Sequence, residues 1–333
     1  MSARLIWLLV VEATEKDVDG AMSRLRWNPQ LGEWVIVSPM RNDGPFQERK
    51  DRCPFCPGGE TEDDWDVLTL KDKSPVLSPE SGVVPLNENV VMDAPGYGFC
   101  KIILLSKDHQ EQVESMGDTQ LERVFMEYLE VFKELDSAAG ISYVVEFENR
   151  GAALGMNLEH PHAQAYALPF IPPRLARELE QSKNFWERDE TCLVCKMLEN
   201  ELKSLESRII TETEHFVSLV PFSARLPYEV HIYPRDHVPS LLELEDRVLE
   251  LGQIIRDTIL RYSKVFDEVS YTMVLHTRPS VGEHPYWHFH VEFYPTRGSR
   301  VQMKHLAGLE IGTGIYTNDT IPEETARELR EAV

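Results

Sequence analysis

Two histidines separated by a single residue stand in His160-Pro161-His162-Ala163-Gln164, just downstream of Glu148-Asn149-Arg150-Gly151-Ala152-Ala153-Leu154-Gly155. An imidazole beside a side-chain amide and a glycine-bearing loop suits attack on a phosphorus atom whose oxygens are held by nearby donors. In this reading His162 is the nucleophile. It must be neutral, with one ring nitrogen held by a partner such as a backbone carbonyl and the other facing phosphorus. Gln164 donates its amide to a phosphate oxygen that gains charge during attack. Side chains alternate along a strand, so His160, His162 and Gln164 are expected to share one face.

His160 has a different set of companions. Four of the five cysteines form two C-x-x-C pairs, Cys53/Cys56 and Cys192/Cys195, while Cys100 stands in an apolar run, FCKIILL, and reads as a core residue. In a chain without a secretory signal such pairs read as metal ligands before disulfides. Zinc takes four ligands, and thiolates with imidazoles are its common structural set. Cys53, Cys56, His109 and His160 make one such set. Cys192, Cys195, His237 and His288 make a second, for zinc or iron. Both sets are closed, so their expected role is to fix backbone; tying His160 to metal anchors the strand that presents His162.

The elements that must position these residues occur twice. Asp108-His109 and His160-x-His162 reappear as Asp236-His237 and His288-x-His290, each exactly 128 positions later, and the cysteine pairs are offset by 139. Strand-like stretches, FCKIILLS and YEVHIYP, precede each Asp-His pair. Amphipathic stretches with apolar residues at three- and four-residue spacing follow it, TQLERVFMEYLEVFKEL and LEDRVLELGQIIRDTILRYSKVF. A further strand, SYVVEFEN or SYTMVLHT, leads toward each HxH. The expected fold is therefore α+β: duplicated units with antiparallel sheets and packed helices. Residues 1–22 read as an N-terminal extension, or as an upstream start with Met22 the true one, 23–180 as the catalytic half and 181–333 as the second half. A proline-rich turn and a helix in LPFIPPRLARELEQSKNFWERDET join the halves. In the second half Glu292 stands where the first has Gln164, and a carboxylate would repel phosphate. Catalysis is expected in the first half only.

The 333 residues suit about two domains, and 42% apolar with 9% aromatic content supplies sizeable cores. A net charge of −22 argues against nucleic acid as a partner, since phosphate backbones require clustered Lys and Arg. The apolar run RLIWLLVV, ended by Glu12, is too short for a membrane span and no small-residue cleavage site follows. A cytoplasmic protein without membrane association is expected.

Together, FENRGAALG…HPHAQ, RLRWNPQLGEWVIVSPMR, CPFC and KDH resemble the galactose-1-phosphate uridylyltransferase family, the transferase branch of the histidine triad superfamily, from about residue 23 onward. The resemblance implies a ping-pong reaction. His162 attacks the α-phosphorus of UDP-glucose, releases glucose 1-phosphate, and passes the uridylyl group to galactose 1-phosphate. It assigns substrate contacts to Arg41, Asn89, Asn149, Gly155, Asn157 and Gln164, with Lys304 and Glu310 near the hexose, and it implies a homodimer. Family members often build the second metal site from one glutamate and three histidines, here Glu178, His276, His288 and His290, an alternative to the cysteine set. The ending LEIGTGIYTN and the second C-x-x-C also resemble a branch that includes ADP-glucose phosphorylases, which pass the nucleotidyl group to inorganic phosphate. A non-catalytic zinc-ribbon module would explain the cysteines but give His162 and Gln164 nothing to do.

Overall fold

The computed structural model describes residues 23–39, 53–56, 59, 61, 64–82, 90, 92–154, 159–204, 208–296 and 306–333. The expected extension 1–22 lies outside them. In chain order the strands are β1 (Arg24–Asn28), β2 (Glu33–Val37), β3 (Leu68–Lys71), β4 (Asp93–Pro95), β5 (Phe99–Leu104), β6 (Tyr143–Arg150), β7 (His162–Leu168), β8 (Ile209–Glu212), β9 (Phe216–Leu219), β10 (Val230–Pro234), β11 (Tyr271–His276) and β12 (His290–Pro295). The helices are α1 (Asp118–Asp136), α2 (Pro173–Asp189), α3 (Leu193–Leu202), α4 (Val248–Val265), α5 (Gly308–Thr313) and α6 (Pro322–Glu331).

Among the described residues a small sheet, β2-β1-β4, stands beside a nine-stranded one ordered β3-β5-β7-β6-β11-β12-β10-β9-β8. Every pairing in the large sheet is antiparallel. Its order reads outward from a seam: β6, β7 and β5 on one side match β11, β12 and β10 on the other. The duplication seen in the sequence is thus a duplication of strands, joined where β6 pairs with β11 (Arg150 opposite Tyr271, Asn149 opposite Thr272). Helices and antiparallel sheets make the expected α+β class.

The two faces of this sheet differ because its strands alternate. One face carries Ala163, Ala165 and Ala167 of β7, Val230 and Ile232 of β10, Met273 and Leu275 of β11, and Val291 and Phe293 of β12, all in one buried core. α1 and α4 cover it. α1 buries Leu121, Val124, Phe125, Tyr128, Leu129, Phe132 and Leu135, a stripe at helical spacing. α4 answers with Val248, Leu251, Ile254, Ile255, Ile259 and Tyr262. The helices touch at Gly252, where a Cβ would lie 2.7 Å from Cδ2 of Phe125, so only glycine permits that approach. A capping box at Ser240, whose side chain is bonded by Leu242 N–H at 3.3 Å while Glu243 bonds its backbone N–H at 3.1 Å, starts the turn leading into α4. Cys100 is buried, as its apolar surroundings require. No helix among the described residues is long and apolar enough to cross a membrane.

The core face holds one anomaly. Glu146 and Glu148 of β6 point into it, 2% and 3% exposed, and Oε1 of Glu146 and Oε2 of Glu148 have no hydrogen-bond partner among the described residues. Burial pushes the Glu148 carboxyl up to about 7, opposed by the Tyr271 hydroxyl that donates to it at 2.8 Å. A carboxyl raised in the folded state is no burden at a pH below its unfolded value, since both states then hold the proton. Above that pH the unfolded chain gives up the proton that the folded one retains, which progressively favours unfolding, and the penalty levels off past the folded pKa. Glu148→Gln is therefore expected to gain stability over the parent as pH rises from 5 to 8, reaching roughly 3 kcal/mol. Urea unfolding at the two pH values measures this, and a pH-independent difference would refute the assignment.

Candidate active site and metal-ligand clusters

The opposite, polar face of the sheet carries the residues singled out for chemistry. β7 begins at His162 because Pro161 has no N–H for the ladder; its carbonyl instead accepts from Leu105 N at 3.0 Å. His160 therefore lies before the strand, a departure from the expected three-residue row, and only His162 and Gln164 share the strand face. Nδ1 of His162 is 2.8 Å from the carbonyl oxygen of His160. A carbonyl only accepts, so Nδ1 carries the proton and Nε2 presents a lone pair. Burial lowers the His162 pKa, partly opposed by that bond, which keeps the ring neutral.

The β6–β7 register sets Phe147 opposite Gln164, and strand alternation puts Asn149 on the same face of β6 as Phe147. The expected trio of His162, Gln164 and Asn149 is thereby brought onto one patch. Both amides have their oxygens occupied: Tyr166 Oη donates to Gln164 Oε1 at 2.9 Å, and Thr272 Oγ1 donates to Asn149 Oδ1 at 2.8 Å. Arg41, Asn89, Gly155, Asn157 and Lys304 lie outside the described residues. Glu310 sits in the first turn of α5, where its carboxylate accepts from Ala307 N at 3.2 Å and Thr317 Oγ1 at 2.8 Å. The Thr317 hydroxyl, with those backbone N–H groups, holds it below the usual carboxylate range.

Behind His162 the four expected ligands of the first set converge. Cys53 Sγ lies 3.8 Å from His160 Nδ1, and Cys56 Sγ lies 3.5 Å from His109 Nδ1 and 3.8 Å from His160 Nδ1. A tetrahedral zinc ion with ordinary Zn–S and Zn–N lengths requires S···N edges of ~3.5 Å, so the set fits it. His160 turns its other nitrogen to the Ser106 carbonyl at 2.8 Å, which fixes the ring for coordination through Nδ1. Burial pulls the His160 pKa down to about 4, the neutral form a metal needs. Gly59 closes the cysteine knuckle, where a Cβ would fall 2.5 Å from the Pro54 oxygen.

The second set repeats this. Cys192 and Cys195 Sγ lie 3.7 and 3.5 Å from His288 Nδ1, and Cys195 lies 3.6 Å from His237 Nδ1. His288 bonds the Pro234 carbonyl at 3.0 Å, 128 positions beyond Ser106. The alternative ligands Glu178, His276 and His290 do not compete for the same place. They form their own buried cluster, so His288 and His290, two residues apart, serve different groups. His276 is bonded by Glu178 at 2.9 Å and lies 3.2 Å from Glu292, which also lies 3.2 Å from His231; Glu229 bonds His231 at 2.9 Å. Arg174 and Tyr294 bond Glu292 as well, and Arg225 bonds Glu229 at 3.3 Å. Burial alone would raise the Glu292 carboxyl, but the imidazoles of His276, His231 and His290 hold it well below its usual range. His290 repeats the backbone bond of His162, Nδ1 to the His288 carbonyl at 3.0 Å. Arg174 and Glu178 come from α2, so this helix brings its side chains to Glu292 and His290 of β12. Sequence reasoning found Glu178 and His276 but not Arg174, Arg225, Glu229, His231, Tyr166 or Thr272. The 128-residue offset carrying Gln164 and Tyr166 onto Glu292 and Tyr294 was the available signal.

The profile of the galactose-1-phosphate uridyl transferase N-terminal domain matches residues 12–172, and that of its C-terminal domain matches residues 178–333. The chain is 37% identical to a galactose-1-phosphate uridylyltransferase of Thermotoga maritima over 93% of its own length and 98% of the relative's. It is 28% identical to an ADP-glucose phosphorylase of Arabidopsis thaliana, covering 94% of each. Among solved structures, a uridylyltransferase superposes with a TM-score of 0.84 at 32% identity, covering 93% of this chain and 98% of that one. The Arabidopsis thaliana ADP-glucose phosphorylase with bound ADP-glucose gives 0.73 at 28%, covering 92% and 98%.

The Glu292 cluster balances three carboxylates against two guanidinium groups and the imidazoles, so removing its buried central anion takes one acceptor at once from Arg174, His276 and His231. Glu292→Ala is expected to cost about 3 kcal/mol or more. A loss below about 1 kcal/mol in urea unfolding, the range of an exposed ion pair, would show that the cluster is not electrostatically closed.

Proposed function

The chain belongs to the galactose-1-phosphate uridylyltransferase family and is a nucleotidyltransferase; from that membership we propose that it converts UDP-glucose and galactose 1-phosphate to glucose 1-phosphate and UDP-galactose through a uridylyl group carried on His162. The supporting observation is the His162 ring itself, held by the His160 carbonyl at Nδ1 and sharing its sheet face with Gln164 and Asn149.

In the first half-reaction the Nε2 lone pair attacks the α-phosphorus. The bond from that phosphorus to the bridging oxygen breaks, and glucose 1-phosphate leaves with the electron pair. Nδ1 keeps its proton, and its bond to the His160 carbonyl strengthens as the ring becomes cationic. In the second, a phosphate oxygen of galactose 1-phosphate attacks the same phosphorus and the P–N bond breaks. Gln164 and Asn149 donate to the phosphoryl oxygens throughout. Arg41, Asn89, Gly155, Asn157, Lys304 and Glu310 belong to this proposal as contacts to nucleotide, phosphate or hexose.

Zinc, when bound at Cys53, Cys56, His109 and His160 and at Cys192, Cys195, His237 and His288, supplies four-coordinate cross-links and no open position for substrate. His160 is thereby fixed by both ring nitrogens, and with it the carbonyl that orients His162. The proposal extends to a cytoplasmic homodimer. Leu309, Ile311, Ile315 and Tyr316 expose apolar surface suited to a second copy.

Mixing the protein with UDP-glucose alone is expected to leave one uridylyl group on the peptide carrying His162, detected by mass spectrometry. An adenylyl group formed from ADP-glucose instead, discharged by inorganic phosphate, would favour the phosphorylase activity of the Arabidopsis relative. His162→Ala is expected to lose the adduct and at least about a thousandfold of turnover with an unchanged melting temperature; an adduct elsewhere refutes the assignment. Elemental analysis should find two zinc ions per chain in the parent and one in either Cys53→Ser or Cys192→Ser, each with a lowered melting temperature. A parent holding one ion or none would overturn the paired sites.

A further inference from the structure

A side-chain amide is ambiguous toward phosphate. Turned one way it offers two N–H donors; turned the other it offers an oxygen that repels the phosphoryl oxygens. Something must choose. We propose that Tyr166 and Thr272 are positioning residues whose hydroxyls hold the Gln164 and Asn149 oxygens, turning both NH2 groups toward the transferred phosphoryl; this deepens the reading that His162 attacks phosphorus there, and rests on it.

Each hydroxyl meets an amide oxygen at hydrogen-bond distance, 2.9 Å for Tyr166 to Gln164 and 2.8 Å for Thr272 to Asn149. Neither is free to wander. The Tyr166 ring stands edge-on to Phe147, centroids 5.1 Å apart at 84°, and Thr272 pairs directly with Asn149 in the β6–β11 register. The internal repeat shows which way the tyrosine bond runs. At the position 128 residues on, Tyr294 bonds Glu292, a carboxylate held ionised and able only to accept, so a tyrosine at this place on the strand acts as donor. Thr272 adds an element the first half lacks: it reaches Asn149 from the other side of the seam, so the second half orders the phosphate site without touching substrate.

An orienting bond of this kind matters most where charge grows on phosphoryl oxygen, so its loss should fall on the rate constant rather than on KM. In rapid-quench measurements of uridylyl transfer from UDP-glucose to His162, Tyr166→Phe and Thr272→Val are each expected to slow the step by about 5- to 20-fold with KM within about twofold. Thr272→Ser, which keeps the hydroxyl, should return to within about twofold of the parent. Unchanged rates, a rise in KM alone, or a Thr272→Ser variant as slow as Thr272→Val would overturn the proposal. Should Thr272→Val not fold, Tyr166→Phe, which removes a single oxygen, decides. A parent that forms no adduct on His162 defeats the underlying reading and this one together; an adduct formed at parental rate in folded variants defeats this one alone.

Discussion

One backbone carbonyl, that of His160, ties the site together. It accepts the Nδ1 proton of His162 and so decides which nitrogen of that ring is free. Its own residue is held through the side chain, by the Ser106 carbonyl on one side and the two thiols on the other. The usual hierarchy, in which backbone is scaffold and side chain is instrument, is reversed within three residues: a side chain anchors a peptide group so that the peptide group can aim another side chain. Pro161 between them strengthens the effect, since a fixed φ narrows the positions the carbonyl can take.

The duplication gives this arrangement an internal control. His290 makes the same backbone bond as His162, beside the same kind of cysteine–histidine cluster, and its Nε2 faces Glu292 and Glu178 at 3.6 and 3.9 Å. The helix that joins the halves lays Arg174 and Glu178 over that copy and packs Leu175 beside Trp287 and Tyr143. The neighbours differ: the first copy has the Gln164 amide where the second has the Glu292 carboxylate, which gathers guanidinium and imidazole groups around it.

How much of this the chain announces varies by kind of interaction. The metal-ligand sets were legible because cysteine and histidine have few other reasons to recur at matched offsets. The α+β repeat was legible because an exact 128-residue offset fixes which strands correspond. The role of α2 was not: nothing in the spacing of Arg174 and Glu178 links them to Glu292, more than a hundred residues away, until the sheet order sets β12 beneath the helix. The pairing of Thr272 with Asn149 was hidden for a related reason, since it depends on which strands meet at the seam. Glu146 and Glu148 misled in the other direction. Acidic residues alternating along a strand ordinarily face solvent, but the face of β6 that carries these two packs on the core.

That seam has a consequence for any attempt to cut the protein in two. β6 is bonded to β7 along one margin and to β11 along the other. A fragment ending before β11 would leave an eight-residue strand with a bare row of amides and carbonyls, flat and unprotected, an invitation to self-assembly into larger aggregates. Along this margin each half serves as the other's neighbour.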